Sequence, residues 1–308
     1  MTATTVENVY TRQLAKEVTK KHFWKLVGMN LLVTLIVFGV MLAGMLLLFL
    51  TTGISLESVP SGMGYSSYAA PSASVGAAFS IGYFVLMLVI TLVGSGLGMG
   101  LYAAMIDLCR GDETVTVGRI FSRMKYCLKA FGLSLWIGLK VFLWMLPGYI
   151  AMFVMIFATA GSDEPAVSGM LALLGMILIF ALVIPAAYRY MLSTYLMADE
   201  PGRGIRESVN LSKQLMKGHK WQAFKLIVPV FLVMLGLTLL ASLVLTLITA
   251  LVVSISETAG AIITVVLMIF PALVSLYFSI RMELCYCVFY LRRREELDAC
   301  ADPAEPQS

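Results

Sequence analysis

The chain has 308 residues, 60% of them hydrophobic and 13% charged, with a mean hydropathy of +0.90 and a formal net charge of +4. A water-soluble domain is about 45–50% apolar and about 25% charged. A folded core surrounded by water is therefore excluded, because there is too little polar surface to cover so many apolar side chains.

Residues 1–25 are polar and basic, and they precede an apolar run of about 25 residues, longer than the roughly 7–15 residues of a cleaved signal core. That run, 26–50, is long enough to cross the hydrocarbon, which takes about 20 apolar residues as a helix. The connection after it, 51–78, is rich in Ser, Gly and Ala with Glu57 its only charge, and reads as a flexible loop. The second span is 79–106 and carries Gly94, Gly96, Gly98 and Gly100. These make two small-xxx-small pairs that let helices approach closely. They lack the Gly-Lys-Ser/Thr ending of a phosphate loop.

The basic connection that follows ends at a third span, 141–160, and a fourth runs 169–188. Lys140 is placed at the boundary, where its stem can snorkel. A deeper position would call for Glu283 or Asp107 as its partner. Arg189 and the pair Arg281/Glu283 read as interfacial anchors at span ends. Spans 226–253 and 260–280 complete six, and Pro147, Pro185, Pro229 and Pro271 fall in or near the last four. The fold class is an all-α polytopic membrane bundle: one domain over 1–300 with a disordered tail, 301–308. Helices are the only choice, since every backbone amide must be paired inside lipid.

Charge is strictly sided. Residues 51–78, 161–168 and 254–259 contain no Lys or Arg, so all 22 lie in or beside the N-terminal segment, the even-numbered connections and the C-terminal tail. Basic residues are retained in the cytoplasm, which puts both termini of this multi-pass protein inside. Cys109, Cys127, Cys285, Cys287 and Cys300 all fall on or near that side, so no disulfide framework is expected.

The sequence also repeats itself. LAKEVTKKHFW (14–24) and LSKQLMKGHKW (211–221) share Leu14/Leu211, Lys16/Lys213, Lys20/Lys217, His22/His219 and Trp24/Trp221. A weaker central copy aligns Lys125 and Lys129 with Lys213 and Lys217. The unit is a basic amphipathic helix, a helix out and a helix back, used three times around an axis near the membrane normal. In the third copy, Ile205, Val209, Leu211, Leu215 and Met216 share one sector, and Arg206, Glu207, Asn210, Lys213, Gln214, Lys217 and Lys220 fill the other, with Gly218 as the stop. Such a helix is expected to rest its apolar side in the acyl boundary and turn its bases to anionic headgroups. The candidate headgroup and interface residues are Lys16, Lys20, His22, Trp24, Lys213, Lys217, His219, Lys220 and Trp221.

The stretch IPAAYRYMLSTYLMADEPGRGIRESVNLSKQLMKGHKW, from Ile184, resembles a family of uncharacterised multispan membrane proteins common in Gram-positive bacteria. The shared features are an Ile-Pro helix end before a Tyr-rich segment, the Asp199–Pro201 loop and the Ser212–Lys220 ending. The terminal CVFYLRRREEL is similar too. Pro185–Ala186 departs from the family's Pro-Gly. That family is distantly similar to the membrane domains of glycerophosphodiester phosphodiesterases. The resemblance implies a bacterial membrane protein and carries over no catalytic residue.

No catalytic residue, cofactor or metal is assigned. His22, His219, Cys285 and Cys287 could in principle ligate zinc, but Cys-x-Cys beside lipid is not a zinc-ribbon spacing. An enzyme acting on headgroups would need His22, His219, Asp199 and Glu200 to converge. The expectation is a non-enzymatic scaffold or accessory in envelope or lipid processes, contacting membrane lipids and no nucleic acid. The alternative is a transporter or channel for a small or lipid-like solute. A dry axis packed with Leu and Met favours the first, and a polar cavity the second.

Overall fold

The structure, a computed structural model, describes residues 3–52, 73–159, 165–253 and 257–301. The chain order is α1 (Ala3–Thr52), α2 (Ala73–Cys109), a 3-10 helix (Val117–Tyr126), α3 (Cys127–Thr159), α4 (Pro165–Tyr190), α5 (Ser193–Asp199), α6 (Ile205–Leu215), α7 (Lys220–Val253) and α8 (Glu257–Ala301). No strand occurs among the described residues. Six helices are long and apolar enough to cross a membrane, and they mark the chain as a membrane protein. The interior of the expected loop 51–78 and all but the first residue of the tail 301–308 lie outside the described residues.

The helices run on past the spans expected from hydropathy, furthest at the basic ends of α1, α3 and α8, and at the opposite ends of α2 and α4. The first amphipathic segment is a helix of its own joined to the first span across a kink at His22, whose φ of −115° and ψ of 22° leave the helical region; both are counted within α1. The second is not an α-helix at all but the 3-10 helix. The third ends at Leu215, and the chain turns into α7 through Gly218 at φ +83°, a backbone conformation that favours glycine.

Three hairpins result, α1/α2, α3/α4 and α7/α8. Glycine allows close approach in the first two: a Cβ on Gly44 would overlap Leu86, and one on Gly148 would overlap Ile179. The fully buried side chains sit elsewhere, on the parts of the chain next to the basic connections. They include Leu97, Met105 and Ile106 of α2, Leu196 and Met197 of α5, and Leu284, Phe289 and Tyr290 of α8. The outer stretches expose Leu42, Leu46, Phe153, Ile177, Leu239 and many like them. Physical chemistry accounts for this division. Hiding a leucine from lipid gains little, since acyl tails are as apolar as leucine. Hiding it where water reaches is worth roughly 2 kcal/mol.

The third amphipathic helix departs from expectation. Val209, Leu215 and Met216 are buried within the protein, and Ile205 and Leu211 pack against the same core. Ser208 and Ser212 are fully buried on that face, and the Ser212 hydroxyl donates to the Arg189 carbonyl at 3.2 Å. Two small residues one turn apart bring α6 down onto the protein, so its apolar side does not face the acyl boundary.

Candidate functional site

The basic end is built around three tyrosines, one from each helix or short helix returning to it. Tyr102 of α2, Tyr195 of α5 and Tyr290 of α8 stand in a row, with ring centroids 4.9 Å apart for the first pair and 6.0 Å for the second. Rings at such spacing attract beyond their area burial. The Tyr195 hydroxyl donates to the Glu283 carbonyl at 3.2 Å, and Tyr290 donates to the Asp199 carboxylate at 2.8 Å. Asp199 also receives both ends of the Arg110 guanidinium at 2.8 Å, a bidentate pair. Beside it, Glu200 takes Arg203 at 2.6 Å and Arg294 at 2.9 Å. Their surroundings join the ends of α2, α5 and α8.

Further contacts close each hairpin at the same end. Lys21 pairs with Glu113, and the Lys25 ammonium donates to the Glu113 carbonyl at 2.8 Å. The Lys21 ammonium holds the exposed Glu113 carboxyl below its usual range, as the Thr114 hydroxyl and amide do for Asp112. Lys129 donates to the carbonyls of Pro201 and Gly202 at 2.8 and 3.0 Å. Arg293, only 6% exposed, binds Glu7 at 2.7 Å and the Gln222 side chain at 2.9 Å. Asn8 donates to the Gln222 carbonyl at 3.3 Å, tying the start of the chain to α7.

The residues singled out in the sequence fall in separate places. Lys16, Lys20, His22 and Trp24 line a cleft of about 460 Å³ with Lys21, Lys25 and Tyr277. His219 and Trp221 line another, of about 490 Å³, with Glu7, Arg12, Gln222 and Arg293. His219 Nδ1 lies 3.2 Å from Gln222 Oε1. Trp24 and Trp221 are 82% and 62% exposed, so both indoles face outward. Lys16, Lys20 and Lys217 are exposed and Lys220 half-buried, whereas Lys213 turns inward over Tyr190. Asp199 and Glu200 are committed to Arg110, Tyr290, Arg203 and Arg294, and neither histidine has a polar contact with them. Among the described residues no three His, Cys, Asp or Glu side chains gather as metal ligands.

The four glycines of α2 divide by face. A Cβ on Gly96 would meet Cys127 at 2.8 Å, and one on Gly100 would meet the Ile120 carbonyl oxygen at 1.8 Å, so the 3-10 helix rests on these two. Gly94 and Gly98 instead line a groove of about 420 Å³ with Ile90, Thr91, Ser134 and Thr194, which is mostly apolar with a few hydroxyls. Lys140 has neither Glu283 nor Asp107 as a partner: Asp107 binds Arg119 at 2.8 Å, and Glu283 Oε2 is buried without a hydrogen bond.

The sequence reading missed the tyrosine row. Its signal is present as LYAAMID, TYLMADE and FYLRRREE, in which a tyrosine precedes the first charged residue by two to five positions.

Residues 67–296 match the model of a family described as protein of unknown function (DUF975). No curated protein and no solved structure matches the chain.

Proposed function

We propose that this chain, which belongs to the DUF975 family, is a multi-pass protein of the bacterial plasma membrane with both termini in the cytoplasm, and that it acts as a non-enzymatic scaffold or accessory in envelope or lipid processes. The observation that carries this reading is the tight side-chain packing at the basic end. Leu97, Met105, Leu196, Met197, Leu284 and the three tyrosines are packed together there, and the ion pairs of Asp199, Glu200 and Arg293 lock the surrounding chain. A solute path would need polar space on that axis. The repeat is supported by the matching joints at His22 and Gly218–His219, and by one tyrosine from each unit. Exposed Lys16, Lys20 and Lys217 then face anionic headgroups at the inner leaflet.

The second reading, transport of a lipid-like solute, is favoured by the groove beside Gly94 and Gly98, which is wide enough for an acyl chain.

Vesicles containing only the purified full chain decide between them. The expected result is no scrambling of fluorescent phospholipid and no ion leak above protein-free vesicles. Either activity, absent from a misfolded control, overturns the scaffold reading. Orientation is checked separately in whole cells. A tag at residue 65 should react with an impermeant reagent and a tag at residue 210 should not; labelling of both, or of neither before lysis and both after, sinks the topology.

A further inference from the structure

We infer that Lys140, Arg189, Arg206 and Lys213 form a binding site for the phosphate of an anionic phospholipid headgroup, seated between α3, α4 and α6. This deepens the inner-surface lipid reading and rests on it.

Three elements bring the four cations together. Trp136 and Lys140 lie one turn apart on α3, and the Lys140 ammonium sits 5.0 Å from the Trp136 ring centroid and 5.8 Å from that of Tyr190, the last residue of α4. The Arg206 guanidinium comes to 5.6 Å from the other side of the cluster, also on Trp136, and Lys213 to 5.9 Å on Tyr190. Lys140 and Arg206 thus share the Trp136 ring, Lys140 and Lys213 share the Tyr190 ring, and Arg189 is the residue before Tyr190. Arg189 is held by its own backbone, through the Ser212 hydroxyl.

Several cations at this end are neutralised by carboxylates: Arg110 by Asp199, Arg119 by Asp107, Arg293 by Glu7 and Arg294 by Glu200. This cluster instead sets its cations on shared ring faces. Among the described residues, none of these four cations forms an ion pair. The acid nearest in sequence, Glu207, turns to Arg203 and to the Gly204 amide. The one side-chain acceptor present is Asn210, 3.2 Å from Lys213. Arg206 also stands in the first turn of α6, the end where the helix dipole disfavours a cation and favours an anion. Four like charges held by three helices, with ring faces beside them, favour one compact dispersed negative charge. Arginine and lysine together suit phosphate oxygens.

The surroundings select a lipid as the source. On the same two helices, Leu139, Phe142, Leu143 and Ile184 are exposed apolar side chains. They continue from the cluster into the spans and offer a surface for acyl chains, which free phosphate does not need. Trp and Tyr at this level match the headgroup depth.

The test is native mass spectrometry of the full chain in detergent, titrated with phosphatidylglycerol or phosphatidylcholine. One phosphatidylglycerol should be retained preferentially. A Lys140→Gln/Arg206→Gln variant should hold it on the order of tenfold more weakly, from the loss of two charges near the surface. A Lys125→Gln/Lys225→Gln control, which removes two charges that stack on Tyr126 and Trp221 away from the cluster, should bind as the parent does. In lipid-free detergent the first variant should unfold at the parent's temperature or above it, because mutual repulsion has been relieved. Unchanged retention in the first variant, equal binding of the two lipids, or a lower unfolding temperature without lipid would each overturn the site. Displacement of the lipid by inorganic phosphate alone would show a free-phosphate site and refute the lipid assignment. Loss of lipid only in the control would refute the site while leaving the broader inner-surface reading intact, and lipid scrambling by the chain would do the reverse.

Discussion

Gly100→Ala should destabilise the chain by about 3 kcal/mol, at the upper end of what overpacking costs, when unfolding is followed in detergent. The new methyl carbon would stand 1.8 Å from the Ile120 carbonyl oxygen, 2.6 Å from its carbonyl carbon and 2.9 Å from its Cα. All three are backbone atoms of the 3-10 helix, so no side chain can swing aside and the whole Val117–Tyr126 segment must lift. Gly98→Ala is the matched comparison. Nothing lies within 4 Å of its Cβ position, and alanine is the better helix former by about 1 kcal/mol, so this variant should be neutral or slightly more stable. If the two variants unfold alike, the 3-10 helix does not rest on α2 as described.

The second large effect is at Asp199. Asp199→Asn keeps the shape but removes the charge that accepts from both Arg110 nitrogens and from Tyr290. Breaking a buried pair costs about 3–5 kcal/mol. Arg110 is 48% exposed and can turn to water, which brings the expected loss to about 2 kcal/mol. Tyr290→Phe should cost about 1.5–2 kcal/mol, since its hydroxyl donates to a charged carboxylate. The two should not add in a double-mutant cycle, since they share one carboxylate. Strict additivity would mean that Tyr290 and Asp199 do not act together. Arg110→Lys should fail to restore the parent value, because an ammonium cannot make the two parallel bonds.

The six spans were legible because lipid imposes a length and a composition that few other environments do. The joints at His22 and Gly218 were marked by the repeated Lys-Gly/Lys-His-x-Trp spelling. Hydrophobic periodicity, however, reports that a face is apolar and not what covers it. That is why the apolar side of α6 read as lipid-facing, when Ser208 and Ser212 seat it on the protein. The glycine pairs of α2 posed a similar problem. Both have the same spacing, and only the rotation of the helix assigns Gly96 and Gly100 to the 3-10 helix and Gly94 and Gly98 to a groove. Lys140 reads as a snorkelling boundary residue, with carboxylates as partners only if it lies deeper. Its true neighbours are two rings and three more cations, contributed by segments up to 73 residues away along the chain, and no local pattern announces them. The tyrosine row escaped for a different reason: each copy is short, and its three surroundings share only a ring and a following charge.

The concentration of buried side chains at one end has a mechanical corollary. The three hairpins resemble stems gathered at the base. A thicker or thinner bilayer, or a change in lateral pressure, can splay or draw in their far ends by tilting each pair as a unit, at modest energetic cost per ångström, while the knot below stays tied. The spacing of the far helix ends is thus freer to follow the host membrane than that of the ends packed at the base.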